Sequence, residues 1–272
     1  MRAPTRLTLA IGGVAAIVVA GLATGAVMLE RLVDPPSPTA TVTADDGSQV
    51  VLDWADYPAD ASQDPASVLA APRAEEVEAV GDAELVALAA AVEPVVPELE
   101  WSLVPTGNAD DVLPTGGGNG YGGPTLHRVY NSPTNLGDGL AADADWSAMA
   151  AALGAELADL GYGPIVWDHE REPYDYETEA DRDEQVVAQF GSLDPDAMWM
   201  WAGMAERDSM WVWVSIWDVR RDTAPEGAWT ETDSGVSLFI GGTVISQDDE
   251  RAYETGVAPF EGIMLPASTH SD

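Results

Sequence analysis

From Leu7 to Leu29 the sequence holds no charged side chain, and this run constrains the rest of the chain more than any other feature. About 23 helical residues cross a hydrocarbon core of about 30 Å, whereas a cleaved signal peptide carries an apolar region of only about 7–15 residues. The run therefore predicts a membrane-spanning signal-anchor over residues 7–29. A cleaved leader stays open as the alternative, because Thr24, Gly25 and Ala26 put small residues at cleavage-site offsets. Arg2, Arg6 and the amino terminus precede the run, while Glu30, Arg31 and Asp34 nearly cancel after it. That asymmetry predicts a cytoplasmic tail at residues 1–6 and an extracytoplasmic remainder on the outer side of the cell membrane. Either reading exports the remainder, and so short a tail excludes signalling through a cytoplasmic domain.

The charge balance narrows the partners. The chain carries 47 acidic against 11 basic residues, a net charge of −36, and every basic residue is Arg. Such a surface has little with which to displace the counterions of a nucleic acid, so no nucleic-acid partner is expected; anionic lipid headgroups repel it as well. The alanine-rich, lysine-free, acidic composition is the kind that high-GC coding produces, as in actinobacteria or, alternatively, haloarchaea. There is no cysteine, which removes disulfides, thiolate nucleophiles, thiolate metal sites and a lipid-bearing cysteine together. With 46% hydrophobic residues and ten tryptophans, the chain has enough apolar bulk for a core.

Residues 30–49 read as an extended linker, because 34–43 mixes Pro with small hydroxyl residues. Residues 50–272 read as one extracytoplasmic domain. In it, 50–52 is a short strand candidate, and Val77, Val80, Leu85, Leu88 and Val92 fall at helical spacing, as one helix or as two broken at Gly81-Asp82. A strand is expected over 99–104 and a loop over 106–124. Asp145 as N-cap, the face formed by Trp146, Met149, Leu153 and Leu157, and Gly161 as terminator define a helix over 145–160. Strand candidates at 126–130 and 165–167 flank it. Thr178 and Asp181 form a capping box for a second helix over 180–190, ended by Gly191. Period-two patterns then predict a meander of four strands over 197–202, 210–219, 228–232 and 236–246. The whole predicts an α+β fold, a mainly antiparallel sheet with helices packed on it, and the tail from Val257 adds at most an edge segment.

No catalytic motif stands out. Gly118-x-Gly120-x-x-Gly123 has the letters of a dinucleotide-binding turn, but Pro124 follows and no helix begins there. His127, His169 and His270 lack the spacing of a zinc site, so no metal and no cofactor is expected. The acidic run 168–184 offers oxygen ligands for calcium at spacings unlike a calcium loop, and a solvated face is its plainer reading. Paired carboxylates could serve glycoside hydrolysis, yet among so many acids the sequence singles out no pair.

The aromatic pattern is more informative. Along 210–219, Trp211, Trp213 and Trp217 point to one side with Ser215, while Val212, Val214 and Ile216 point to the other. Trp199 and Trp201 alternate with Met198 and Met200 on the preceding segment, and this pattern predicts that they join the row across a hairpin. Trp199, Trp201, Trp211, Trp213 and Trp217 thus form a candidate binding surface for a sugar or a partner's apolar side chains. The competing reading puts the indoles in a core under the helix of Trp146.

The order of that helix, an aromatic strand pair around Asp208 and Ser209, and the strand Gly235-Val-Ser-Leu-Phe-Ile-Gly-Gly resembles LppA-like envelope lipoproteins of mycobacteria and their relatives, over residues 126–246. The resemblance implies extracytoplasmic placement and an α+β domain, and carries over no catalytic residue. Two departures accompany it: those proteins carry a lipidated cysteine, and their last core strand leads into a cysteine where Gly241-Gly242 stands here. The sequence as a whole suggests a membrane-anchored module that binds an envelope protein or cell-wall glycan. The alternatives are a cell-wall hydrolase using paired carboxylates and an immunity protein against a secreted, basic toxin.

Overall fold

The computed structural model describes residues 35–44, 46–222 and 234–270. The expected anchor at 7–29, the tail before it and the strand expected over 228–232 lie outside the described residues. Among the described residues no helix is long and apolar enough to cross a membrane. In chain order the elements are β1 (Thr39–Thr43), β2 (Gln49–Asp53), α1 (Pro65–Ala70), α2 (Val77–Val92), β3 (Glu100–Val104), α3 (Ala109–Val112), β4 (His127–Asn131), β5 (Thr134–Asp138), α4 (Trp146–Asp159), β6 (Val166–Trp167), α5 (Glu179–Phe190), β7 (Met200–Arg207), β8 (Met210–Asp218), β9 (Ser234–Ile245) and α6 (Glu250–Val257). The fold is α+β with an antiparallel sheet. Its residues divide into two compact units.

The smaller unit gathers residues up to Ser62, the segment 117–125 and the chain from Thr255 onward. β1 and β2 pair as an antiparallel hairpin, Val42 opposite Val50. The segment 39–43, part of the extended linker expected from the sequence, is therefore a strand, in keeping with its three β-branched threonines and Val42. Trp54, Tyr57, Tyr121 and Phe260 pack ring to ring at 4.6–5.3 Å, with Tyr57 and Tyr121 farther apart. Asn119, fully buried, organises the glycine loop. Its amide donates to the carbonyls of Trp54 and Tyr57 at 2.9 and 2.7 Å, and its oxygen accepts from the N–H groups of Tyr121 and Gly123. A side chain at Gly123 would run into the carbonyl of Ala55. Gly120, Gly122 and Gly123 are explained by close packing, the first two also by φ of +77° and +91°.

The larger unit is built on a seven-stranded sheet ordered β3-β5-β9-β8-β7-β6, with β4 also on β9. β9 is the hub: β8 pairs along one edge while β4 and β5 share the other. Between these two, Ser132 and Pro133 form a bulge. Pro133 has no N–H to give, and the buried Ser132 hydroxyl accepts the N–H of Ile240 at 2.8 Å in place of a backbone carbonyl.

One face of the sheet is the core. Val212, Val214 and Ile216 of β8 and Val236, Leu238 and Ile240 of β9 are fully buried there. α2 and α4 pack against each other and α2 lies on β9. They contribute Val77, Leu85, Leu88 and Val92, and Trp146, Met149, Leu153 and Leu157, each set at the three-and-four spacing of one helical face. α2 is a single helix through Gly81, where any side chain would meet the Tyr130 hydroxyl. The caps behave as their sequences dictate: Asp145 accepts from Ala148 N–H, Thr178 and Asp181 form the box of α5, and Gly161 and Gly191 both adopt φ of +87°. Glu84 on α2 is buried and held twice, by the Tyr162 hydroxyl and by Arg207, each at 2.8 Å.

Candidate functional site

The opposite face of the sheet carries the tryptophan row. In β8 the residues from Met210 to Asp218 alternate between buried and half-buried, and Trp211, Trp213 and Trp217 are the half-buried ones. These three therefore lie on the face away from Val212, Val214 and Ile216, half-buried, with Trp213 still packed against the core cluster. Two of them are seated on glycine: a side chain at Gly241 would strike the Trp211 indole, and one at Gly235 would come within 2.8 Å of Trp217. The indoles lie down across β9 and cover its backbone. Trp213 stands opposite Phe239 on β9 and Met204 on β7, and its ring N–H is taken by the Ser215 hydroxyl at 3.0 Å.

Trp199 and Trp201 do not join this row. The Asp208-Ser209 turn, with Asp208 at φ of +54°, pairs Arg207 with Met210, so odd positions of β7 meet even positions of β8. Trp201 falls opposite Ile216 on the core face, 8% exposed, with its ring edge-on to Trp146 at 5.7 Å. Trp199 is 6% exposed. The residues that accompany the row from β7 are instead Met200, Ala202, Met204 and Glu206.

A pocket of about 730 Å³ opens beside Trp213, the middle tryptophan of the row. Its floor is the cross-strand line Val166, Met204 and Trp213, with Glu206 beside it. Gln185, Val186, Gln189 and Phe190 of α5 form one wall, and Asp168, Arg171, Glu172 and Tyr174 of the preceding loop form another. The acidic run 168–184 is thus the wall of a pocket as well as a solvated surface. It is organised by Glu177, which accepts both arms of the Arg171 guanidinium at 2.7 and 3.1 Å, the Tyr174 N–H and the Gln185 amide. Arg171 in turn lies over the Tyr174 ring, 4.3 Å from its centre, and Tyr174 stacks on the exposed Tyr176.

The electrostatics follow from these pairings. Arg171 holds Glu177 below the usual carboxylate range and is itself raised. Its charge is committed, which leaves Asp168, Glu172 and Glu206 as the other charged groups lining the pocket. Burial pushes the Asp168 carboxyl up, and Arg171 offsets only part of the shift. The result is an aromatic floor, amide groups on one wall and carboxylates at the rim. Such a site can grip a hydroxyl-rich or cationic group that has an apolar face.

Among the described residues no group of three or more His, Asp or Glu side chains is placed to hold a metal ion. Of the pocket residues, Trp213 alone belonged to the sequence-based surface. The α5 wall was visible in the sequence as a helix, but which face it turned to the sheet was not. No family model, curated protein or solved structure matches the chain.

Proposed function

We propose that the chain is a membrane-anchored extracytoplasmic binding module. Residues 7–29 hold it in the membrane, and the Trp213 pocket takes hold of another component of the cell envelope. The uncharged run and the resemblance to LppA-like envelope lipoproteins support the placement, with a peptide anchor replacing the absent lipidated cysteine. The pocket carries the binding reading, because it combines an apolar aromatic floor with convergent polar groups and a carboxyl shifted by burial. Wall glycan suits it best: a sugar ring offers an apolar face to Trp213 and hydroxyls to Gln185, Gln189 and Glu206.

The test is cosedimentation of the detergent-solubilised full-length protein with purified cell wall, comparing wild type with a Trp213→Ala variant whose circular dichroism is unchanged. Loss of the ring is expected to weaken wall binding about fivefold, corresponding to about 1 kcal/mol of aromatic contact. Equal binding by the two proteins removes the pocket from the proposal. One observation favours a second reading, hydrolysis of the wall: Asp168 and Glu206 line the same pocket, and the raised Asp168 carboxyl suits a general acid. That reading requires soluble fragments to appear in the same assay and to vanish with Asp168→Asn.

A further inference from the structure

The outer edge of β3 offers a second surface, independent of the pocket. β3 ends the sheet: β5 pairs with one side of it, and among the described residues no strand meets the other. Natural proteins usually blunt such an edge with Lys, Pro, a bulge or a covering segment. β3 reads Glu-Trp-Ser-Leu-Val, and the nearest prolines, Pro97 and Pro105, stand outside it. Leu103 is 60% and Val104 46% exposed.

Beside this edge runs a groove of about 530 Å³, with Leu85, Val86 and Ala89 of α2 on one side and Trp101 and Leu103 of β3 on the other. Val86 is 68% exposed. Trp101 and Leu103 share a face of the sheet, since they pair with Gly137 and Asn135, and the Trp101 ring covers Gly137 so closely that a Cβ there would sit 3.1 Å from it. The groove walls contain Asp82 and Glu93 and no basic residue, and Glu100 opens the strand.

We infer that the β3 edge binds an extended peptide segment of a partner protein, which joins the sheet as an added strand with alternate apolar side chains turned into the α2–β3 groove and basic ones against Asp82 and Glu93. An unpaired edge presents backbone N–H and C=O groups that only another strand satisfies in register, and the groove gives every second side chain of that strand an apolar seat. The acidic walls select basic residues among the rest. A second copy of the chain fits poorly, because each copy brings a net charge of −36 to the contact.

The probe is a pool of acetylated hexapeptides with Arg or Lys alternating with Val, Ile, Leu or Phe, applied to the full chain in detergent micelles. Members of the pool are expected to bind and to slow amide hydrogen exchange across Glu100–Val104. Methylating the peptide's backbone nitrogens, or introducing Leu103→Glu or Val86→Glu, is expected to cut affinity at least tenfold. Both side chains are exposed, so these variants should keep the melting temperature of the wild type. The inference is overturned if N-methylated peptides bind as well as the originals, if exchange across β3 does not change, if no member of the pool binds, or if sedimentation shows the edge occupied by a second copy.

Discussion

Gly241 shows how much of the tryptophan face depends on single atoms. The Trp211 indole lies where its Cβ would be, so the row exists in its flat form only because β9 has no side chain there. Gly241→Ala is expected to cost about 1–3 kcal/mol, the usual range for forcing an extra group into a packed site. Chemical denaturation checks this, and the loss should shrink in a Gly241→Ala, Trp211→Ala double variant, because the two positions share one contact. Asp168 makes a different residue-scale prediction. Burial raises its pKa above the unfolded value of 3.8, so the folded chain keeps a proton that the unfolded chain has released. Its contribution to stability is full below 3.8 and is lost as the pH rises through the raised value. The melting temperature of wild type minus that of Asp168→Asn should therefore fall as the pH is raised from below 3.8 towards neutrality; a constant or rising difference would sink the assignment. Measuring against the variant cancels the titration of the other carboxylates.

At the scale of elements, Glu84 ties three pieces together: α2 by its backbone, the turn after α4 through Tyr162, and the end of β7 through Arg207. Glu84→Ala leaves the buried Tyr162 hydroxyl without its acceptor and the partly buried Arg207 guanidinium without its counter-ion, though still bonded to the Leu160 carbonyl at 2.7 Å. It is expected to cost about 2 kcal/mol, discounted from the full cost of an unpaired buried charge because Arg207 is 20% exposed. Elements whose caps and periods agree were legible in the sequence. α4 and α5 begin and end within two residues of Asp145, Gly161, Thr178 and Gly191, and the alternation of β8 is the burial pattern observed. β5 was not legible, since Thr-Asn-Leu-Gly-Asp reads as a loop until Trp101 is seen to need the bare Gly137 beneath it. The sequence predicts this strand over 197–202, whereas β7 runs from Met200 to Arg207: its core face includes Gly203 and Ala205, and its far end runs through Glu206 and Arg207, so its apolar signal is confined to the start. The two-residue Asp208-Ser209 turn fixes a hairpin register that so uneven a signal does not show, and that register sets Trp201 on the face opposite Trp211, Trp213 and Trp217. α6 is only eight residues long, anchored at Glu250 by Arg73 at 2.6 Å, and its buried face is Tyr253 and Val257 one turn apart, too brief a pattern to stand out from the weakly patterned tail.

On the scale of the whole molecule, the charge sets the response to salt. With 47 acidic and 11 basic residues, most carboxylates face other carboxylates at long range, and their mutual repulsion favours expanded states. Screening length falls from about 10 Å at 0.1 M to about 3 Å at 1 M. The melting temperature of the full chain is therefore expected to rise with sodium chloride over that interval; a fall would mean that surface ion pairs outweigh repulsion. The position of β9 has a consequence of another kind. It is the last of the described strands and yet lies inside the sheet, with β8 along one edge and β4 and β5 along the other. Until residue 245 has left the ribosome, β3, β4 and β5 have no partner linking them to β6, β7 and β8. The sheet is then two incomplete halves, each with an open edge, and the order of synthesis keeps them from joining until β9 is made.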